Sequence, residues 1–348
     1  MLTRIDCTTH QEVYRVSDRD SGLEGVIAIH STLSGPAAGG LRMRTYDGFD
    51  AALADVLALS RGMTYKNAAA GLPLGGGKAV ILGDPRTEKT EAKLRAMGRA
   101  VAELDGRYWT AEDMGMSPDD LKVLAQEADF VAGLAEGDFA SGDPSPITAR
   151  GVFNAMKIGA ERQFGSADLG GKRVAVQGLG HVGWSLCEYL HKAGARLSVA
   201  DPVAARVADA VAQFGAEAAD PATIHAVEAD IFAPCAIGGT LNADTVPAIK
   251  AAMICGAANN QLADMAIGDL LEARGILYLP DYVANGGGII NVATEILKIA
   301  DRETFVAERL AQLERSMSGI LLAAAQKGVS PARVADDTVD QVMMRKAG

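Results

Sequence analysis

The densest chemistry in this sequence sits in Gly71-Leu72-Pro73-Leu74-Gly75-Gly76-Gly77-Lys78, a glycine loop ending in a lysine where the apolar run Ala79-Val80-Ile81-Leu82 begins. Three consecutive glycines leave Lys78 approachable by a ligand and by neighbouring backbone. Lys66 lies twelve residues earlier, after a helical stretch carrying Met63, and Ala111-Glu112-Asp113-Met114-Gly115 offers carboxylates at an expected strand end. Amines and a carboxylate brought together could hold an anion and move protons. A phosphate-binding P-loop is ruled out by spacing. The pattern GxxxxGK[ST] needs a glycine where Leu72 stands and a Ser or Thr where Ala79 stands. On spacing alone, a solvated face explains these lysines and acids better than a site does.

A second group is Gly178-Leu179-Gly180-His181-Val182-Gly183, which fits GxGxxG. Such a match is weak alone. Here a strand-like run, Arg173–Gln177, precedes it, a helix-like stretch follows, and Asp201 ends the next strand-like run roughly twenty residues on. The first glycine makes the tight turn, the second admits a pyrophosphate, and the third packs helix on strand. The free N–H groups and dipole of the helix N-terminus favour that anion. Asp201 is expected to accept hydrogen bonds from the adenosine ribose and to repel a 2′-phosphate, so NAD is expected over NADP.

The elements that must position these residues fall into two patterns. From about residue 172 onward, short apolar runs (174–176, 197–199, 231–232, 253–255 and 276–279) alternate with helix-like stretches near 182–193, 202–214, 243–251 and 262–274. That alternation predicts a parallel sheet covered on both faces, a Rossmann domain. The first half is less regular, with helices expected over 49–63 and 88–104 and a buried strand over 79–82. Ser141-Gly142-Asp143-Pro144-Ser145-Pro146 marks a boundary, with Pro146 suited to the start of a helix running to about 163. The fold class expected is α/β with two domains. Residues 1–143, with 328–348 returning to them, form a substrate-binding and oligomerisation domain. Residues 144–327 form the NAD-binding domain, and the active site lies in the interdomain cleft.

Length supports that division, since 348 residues exceed one ordinary core. A net charge of −11 disfavours nucleic acid and anionic membrane surfaces as partners. The four cysteines Cys7, Cys187, Cys235 and Cys255 show neither CxxC nor zinc-ligand spacing with the histidines, so no metal site is expected and a reducing cytoplasm is. The N-terminus lacks an apolar signal-peptide region, and no run is long enough to span a bilayer. The 39 glycines, against only 5% aromatics, point to close backbone approach.

Taken in order, Gly39-Gly40-Leu41-Arg42-Met43, Gly71–Lys78, Thr110-Ala111-Glu112-Asp113, Asp143-Pro144-Ser145-Pro146-Ile147-Thr148, Gln177–Gly183, Ala233-Pro234-Cys235-Ala236, Gly256-Ala257-Ala258-Asn259-Asn260-Gln261 and Asp281–Gly288 resemble the amino-acid dehydrogenase family of glutamate, leucine, valine and phenylalanine dehydrogenases. The resemblance covers roughly residues 10–300. It implies that Lys66 binds the substrate α-carboxylate, helped by backbone at Gly39 and Gly40. It makes Lys78 the general base and has Asp113 exchange protons with the amine and its intermediates. Lysine ordinarily titrates near pH 10.4, so a working base needs a second ammonium nearby and a closed, partly desolvated cleft to lower it by about three units. Thr148, Ala236 and Asn260 are implied at the cofactor, Asn260 also near the substrate.

The side-chain pocket implied by matching position is Ala38, Met63, Ala111, Ile289 and Val292. Glutamate enzymes place a lysine at the position of Ala38, and an apolar pocket would leave a γ-carboxylate desolvated, which costs several kcal/mol. The expected reaction is therefore reversible oxidative deamination of an apolar L-amino acid to the 2-oxo acid and ammonia, with leucine, valine or isoleucine favoured. The small Ala38 keeps phenylalanine or another aromatic substrate as the alternative. A 2-hydroxy-acid dehydrogenase and a non-catalytic NAD-binding sensor are weaker readings, because His181 lies inside the nucleotide fingerprint and no other histidine has a catalytic setting. A homo-oligomer is also implied.

Overall fold

The chain was analysed as a computed structural model, which describes residues 1–236 and 238–347, with the backbone alone for Val342 and 344–347. It divides into two units. Unit 1 comprises Met1–Pro144, Ile289–Ala307 and Val342–Gly348; unit 2 comprises Ser145–Gly288 and Glu308–Gln341.

Unit 1 is built on a mixed sheet. Its strands are β1 (Leu2–Arg4), β2 (Glu12–Asp18), β3 (Leu23–Ser31), β4 (Ala37–Ala38), β5 (Leu41–Arg44), β6 (Gly75–Leu82) and β7 (Tyr108–Trp109). The order is β1-β2-β3-β6-β4-β7, with β5 also paired to β6. β1, β2, β3 and β6 are joined antiparallel, whereas β4 and β5 run parallel to β6. The central strands are apolar on both sides because helices cover them. Leu23, Ile27, Ile29, Ala79 and Ile81 pack with Leu94, Met97 and Leu104, while Val26, Ala28 and Val80 pack with Ala52 and Val56.

The covering helices are α1 (Phe49–Ala69), α2 (Glu91–Ala102) and α3 (Pro118–Leu124). Thr90 caps α2 by accepting from the Lys93 amide, and Ser117 and Asp120 form a capping box ahead of Pro118 in α3. α1 runs six residues beyond the expected end at 63, which places Lys66 inside its last turn. Two α1 side chains hold that turn against β6: Asn67 donates to the Gly75 carbonyl at 2.6 Å, and Thr64 lies against Gly76.

Unit 2 carries a six-stranded parallel sheet of β8 (Arg173–Gln177), β9 (Arg196–Ala200), β10 (Glu217–Ala218), β11 (Ile231–Pro234), β12 (Met253–Ile254) and β13 (Leu277–Tyr278), ordered β10-β9-β8-β11-β12-β13. This is the doubly wound order with its switch point between β8 and β11. Its helices are α4 (Ser145–Phe164), α5 (His181–Lys192), α6 (Ala204–Phe214), α7 (Met265–Ala273) and α8 (Asp281–Ala284). The two-domain α/β architecture with a C-terminal-half Rossmann domain is thus present. The helix expected over 243–251 is absent. Only a 3₁₀ turn, Val246–Ala248, forms there, because Pro247 has no amide to continue a helical ladder and the chain becomes extended at Ile249.

Three helices complete the chain: α9 (Gly287–Ile296), α10 (Arg302–Lys327) and α11 (Pro331–Ala347). The sequence pattern put the return to the first domain at 328–348. In the structure Ile289–Ala307 joins unit 1 as well as the chain end Val342–Gly348, whereas residues 328–341 belong to unit 2. Contacts within unit 2 explain this: Arg333 forms a forked ion pair with Asp269, and the Tyr282 hydroxyl donates to Asp336 at 3.1 Å. Among the described residues no helix is long and apolar enough to cross a membrane.

Candidate active site

The unit 1 site starts from an interruption in a strand. β4 and β5 both pair with β6, Ala38 opposite Gly76 and Leu41 opposite Ala79. Gly39 and Gly40 fill the gap between them, beside Gly77 and Lys78. A Cβ on Gly39 would lie 2.0 Å from the Gly77 carbonyl oxygen and 2.9 Å from Met63 Cγ. One on Gly40 would lie 2.7 Å from the Glu112 carbonyl oxygen and 2.9 Å from Asp113 Cβ. Only glycine lets the three segments approach so closely. The residues that sequence spacing left apart (Gly39, Gly40, Met63, Lys78, Asp113) therefore meet at one place.

Tyr108 supports this meeting point from below. Its ring lies against Gly77, where a Cβ would approach it to 2.6 Å, and its hydroxyl donates to the Gly39 carbonyl at 2.7 Å. Burial raises the Tyr108 phenol far above its ordinary value, so it stays a neutral donor.

Lys78 Nζ lies 2.6 Å from Asp113 Oδ2, and Arg42 Nε donates to the same oxygen at 3.0 Å. Arg42 also donates from Nη1 to Asp55 Oδ2 at 3.1 Å, and that oxygen accepts the Tyr46 hydroxyl at 2.7 Å. The Lys78 side chain is 7% exposed, Arg42 9% and Asp113 18%. Burial pushes Lys78 below the ordinary lysine range; Asp113 opposes this, and Arg42 adds to it. For Asp113, burial alone would raise the carboxyl, but Lys78 and Arg42 outweigh it and hold it well below the usual carboxylate range. The cation that shares the Asp113 oxygen with Lys78 is the Arg42 guanidinium, where the sequence led to an expectation of a second ammonium.

Lys66 is half-buried in the last turn of α1, one turn from Met63. Ala38 and Ala111 are buried. Ile289 and Val292, both buried, lie on the part of α9 that belongs to unit 1. One turn further along α9, Glu295 accepts from the Gly133 amide (2.7 Å), the Ser141 amide (3.1 Å) and the Ser141 hydroxyl (2.9 Å). Asn291 donates to the Ser141 carbonyl at 3.1 Å, and Arg302 donates to the Ala140 carbonyl at 3.2 Å. These bonds fix the part of α9 that carries Ile289 and Val292.

In unit 2, Gly178 adopts φ 96°, and a Cβ there would meet Ala236 at 2.9 Å. A Cβ on Gly183 would lie 2.0 Å from the Gly178 carbonyl oxygen, which fixes the close helix–strand packing. Gly180 is the N-cap of α5; no side chain caps the helix, and nothing lies within 4 Å of the Cβ direction. His181 and Val182 open α5, and Leu179 is buried. This open helix N-terminus behind a glycine turn fits a dinucleotide pyrophosphate.

Asp201 is turned into this turn. Its Oδ2 accepts from the Leu179 amide and its Oδ1 from the Val203 amide, each at 2.8 Å, and Arg206 lies 3.6 Å away. Asn260 is exposed with φ 51°, on the loop Gly256–Gln261. Gln261 braces that loop by donating to the Gly256 and Ala258 carbonyls, and Asn285 does so by donating to the Ala257 carbonyl and to Asn259 Oδ1. Thr148 is buried near the start of α4, against Gly287.

Sequence reasoning assigned no role to Arg42, Asp55, Tyr46, Tyr108, Gln261, Asn285 or Glu295. Arg42 did carry a signal, as a charge enclosed by Leu41 and Met43 in an apolar strand.

Residues 10–130 match the Glu/Leu/Phe/Val dehydrogenase dimerisation domain, and residues 198–344 match the Glutamate/Leucine/Phenylalanine/Valine dehydrogenase domain. Leucine dehydrogenase of Geobacillus stearothermophilus is 53% identical over 287 residues, covering 82% of this chain and 78% of the relative. Phenylalanine dehydrogenase of Lysinibacillus sphaericus is 46% identical, covering 82% and 77%. The crystal structure of L-tryptophan dehydrogenase from Nostoc punctiforme superposes with a TM-score of 0.81 at 39% identity, covering 98% of this chain and 97% of that one. With the lysine–aspartate pair in one unit and the dinucleotide turn in the other, these likenesses show that the chain belongs to the glutamate/leucine/phenylalanine/valine dehydrogenase family of oxidoreductases.

Proposed function

We propose that the enzyme catalyses the reversible oxidative deamination of an apolar L-amino acid, branched-chain substrates favoured, to the 2-oxo acid and ammonia, with NAD as the hydride acceptor. The observation that carries this reading is the Lys78–Asp113 contact beside the Gly39-Gly40 gap, with Arg42 on the far side.

In this reading the Lys66 ammonium and the backbone at Gly39 and Gly40 hold the α-carboxylate. Asp113 takes a proton from the substrate ammonium, which frees the lone pair that becomes the imine. A nicotinamide cofactor held at the Gly178–Gly183 turn would supply the acceptor for the Cα hydride. Neutral Lys78 then removes a proton from the water that attacks the imine carbon, and as an ammonium it stabilises oxygen charge in the carbinolamine. Asp113 returns its proton to the nitrogen. Lys78, having passed its first proton to solvent, takes the carbinolamine hydroxyl proton as the C–N bond breaks, so that the 2-oxo acid and ammonia leave. Lys78 then sheds that second proton. Thr148 and Asn260 would lie at the nicotinamide. Asp201, held at the end of β9, disfavours a 2′-phosphate and supports NAD over NADP.

Ala38, Met63, Ala111, Ile289 and Val292 would form the side-chain pocket. The absence of a cation at position 38 argues against glutamate. A second reading, an aromatic substrate, is favoured by the small size of both Ala38 and Ala111 and by the tryptophan and phenylalanine relatives. The match of residues 10–130 to a dimerisation domain supports a homo-oligomer, and the sparse, free cysteines support a cytoplasmic setting.

The test is NAD reduction at alkaline pH with a panel of L-amino acids. Turnover with leucine, valine or isoleucine above all others supports the first reading, and preference for phenylalanine or tryptophan supports the second. No turnover with any of them overturns both.

A further inference from the structure

Lys78, Asp113, Arg42, Asp55 and Tyr46 form an alternating row of cation, anion, cation, anion and hydroxyl, drawn from β6, the 110–115 segment, β5, α1 and the β5–α1 loop. Lys78 and Arg42 compete for one oxygen, Asp113 Oδ2. We infer that Arg42 and Asp55 are positioning residues that set the pH at which Lys78 becomes a base, and that they act on it in opposite directions. This rests on the reading of Lys78 as the general base.

The reasoning is electrostatic. A guanidinium keeps its proton throughout the working range, so Arg42 is a permanent positive charge. It takes part of the Asp113 oxygen that would otherwise stabilise the Lys78 ammonium, and it repels that ammonium directly. Both effects favour neutral lysine. Asp55 works the other way, because its carboxylate cancels part of the Arg42 charge and draws the guanidinium towards α1 through Nη1. Tyr46 clamps the Asp55 oxygen. The Tyr46 phenol, raised far above its ordinary value by burial and then by the Asp55 bond, contributes no charge of its own.

Other titratable groups stand on the elements packed around the pair. α1 carries Lys66 in the same unit, the 110–115 segment carries Glu112, and β7 carries the neutral Tyr108. On β3, Ala28 stands opposite Lys78, and His30, two residues on, is bonded to Thr64 at 2.8 Å. Arg42 and Asp55 are thus the charged groups that continue the hydrogen-bonded row beyond Lys78 and Asp113, and the neutral Tyr46 ends it.

The experiment compares pH profiles of kcat/KM for the full-length enzyme at saturating NAD, using the best substrate of the amino-acid panel. The substrate amine titrates identically in every case, so differences between variants belong to the enzyme. Arg42→Gln removes the charge and keeps a donor, and its acid limb is expected to move up by about one pH unit or more. Asp55→Asn keeps the shape and removes the opposing charge, and its limb is expected to move down. Arg42→Lys retains the charge and is expected to stay near the wild-type limb. Rates that fall at every pH with unmoved limbs, or limbs that move the same way in Arg42→Gln and Asp55→Asn, overturn the inference. If Arg42→Gln does not fold, Asp55→Asn decides: a downward displacement supports the inference and an unmoved limb overturns it. Lys78→Ala separates the two levels. Loss of its turnover with unmoved limbs in the other variants leaves Lys78 as the base and removes the tuning role. An active Lys78→Ala enzyme overturns the base reading and this inference together.

Discussion

Lys78 Nζ and Asp113 Oδ2 lie 2.6 Å apart although their parent segments, β6 and the stretch after β7, are separated in the sheet by β4. The contact exists because β4 stops at Ala38 and the Gly39-Gly40 gap opens beside it. Replacing Lys78 by Ala is expected to lower kcat by about 10²–10⁴-fold, the ordinary worth of a general base. NAD binding, followed by calorimetry, should persist. Unchanged turnover would remove Lys78 from the chemistry.

Asp113 has a folded-state pKa well below its unfolded value, so its contribution to stability is fully present above about pH 3.9. That contribution is lost as pH falls through the folded pKa. Asp113→Asn, which strands Lys78 and Arg42 beside a neutral amide, is expected to cost up to about 3–5 kcal/mol near neutral pH. The gap in denaturation midpoint between wild type and variant should narrow below pH 4. A gap constant down to pH 2 would contradict the assignment.

Gly77→Ala would drive a methyl group to 2.6 Å from the Tyr108 ring and 3.1 Å from Ala37 Cβ. Overpacking of this kind costs about 1–3 kcal/mol. Thermal unfolding of Gly77→Ala should show that loss, and the double variant with Tyr108→Leu should recover part of it. A variant as stable as wild type would mean that the ring can move aside.

Ala38→Leu should narrow the proposed pocket. A methylene or two changes discrimination by about 1–3 kcal/mol, so the ratio of kcat/KM for phenylalanine over leucine is expected to fall at least tenfold. An unchanged ratio would place the side chain of the substrate elsewhere.

Glu295→Gln should loosen the 133–141 segment, since charged acceptors of backbone N–H groups are worth about 1.5–3 kcal/mol each. Hydrogen exchange at Gly133 and Ser141 is the direct readout. Protection equal to wild type would show that Asn291 and Arg302 suffice.

The Rossmann unit was readable from the chain because its signals are local: a glycine turn between a strand and a helix, then an acid at the next strand end. The missing helix at 243–251 failed for a local reason too, since Pro247 has no amide to donate and the chain becomes extended at Ile249. The unit 1 site was legible as a set of motifs but not as a geometry. Arg42 and Asp113 are 71 residues apart, and only the strand order brings them into contact. Asp55 and Tyr46 belong to none of the sequence motifs and join the row only through Arg42. The return of 289–307 to unit 1 depends on Glu295 finding amides more than 150 residues upstream, which no periodicity encodes.

Gly39, Gly40, Gly76 and Gly77 would line the proposed reaction site with main chain where other pockets present side chains. That lining cannot be retuned one substitution at a time, because every added carbon collides with backbone, Thr64 or Tyr108. Any drift in substrate preference, natural or engineered, is therefore channelled into the few surrounding positions that still have a side chain to exchange. A library aimed at new amino acids gains most by leaving the four glycines untouched and randomising Ala38, Met63 and Ala111.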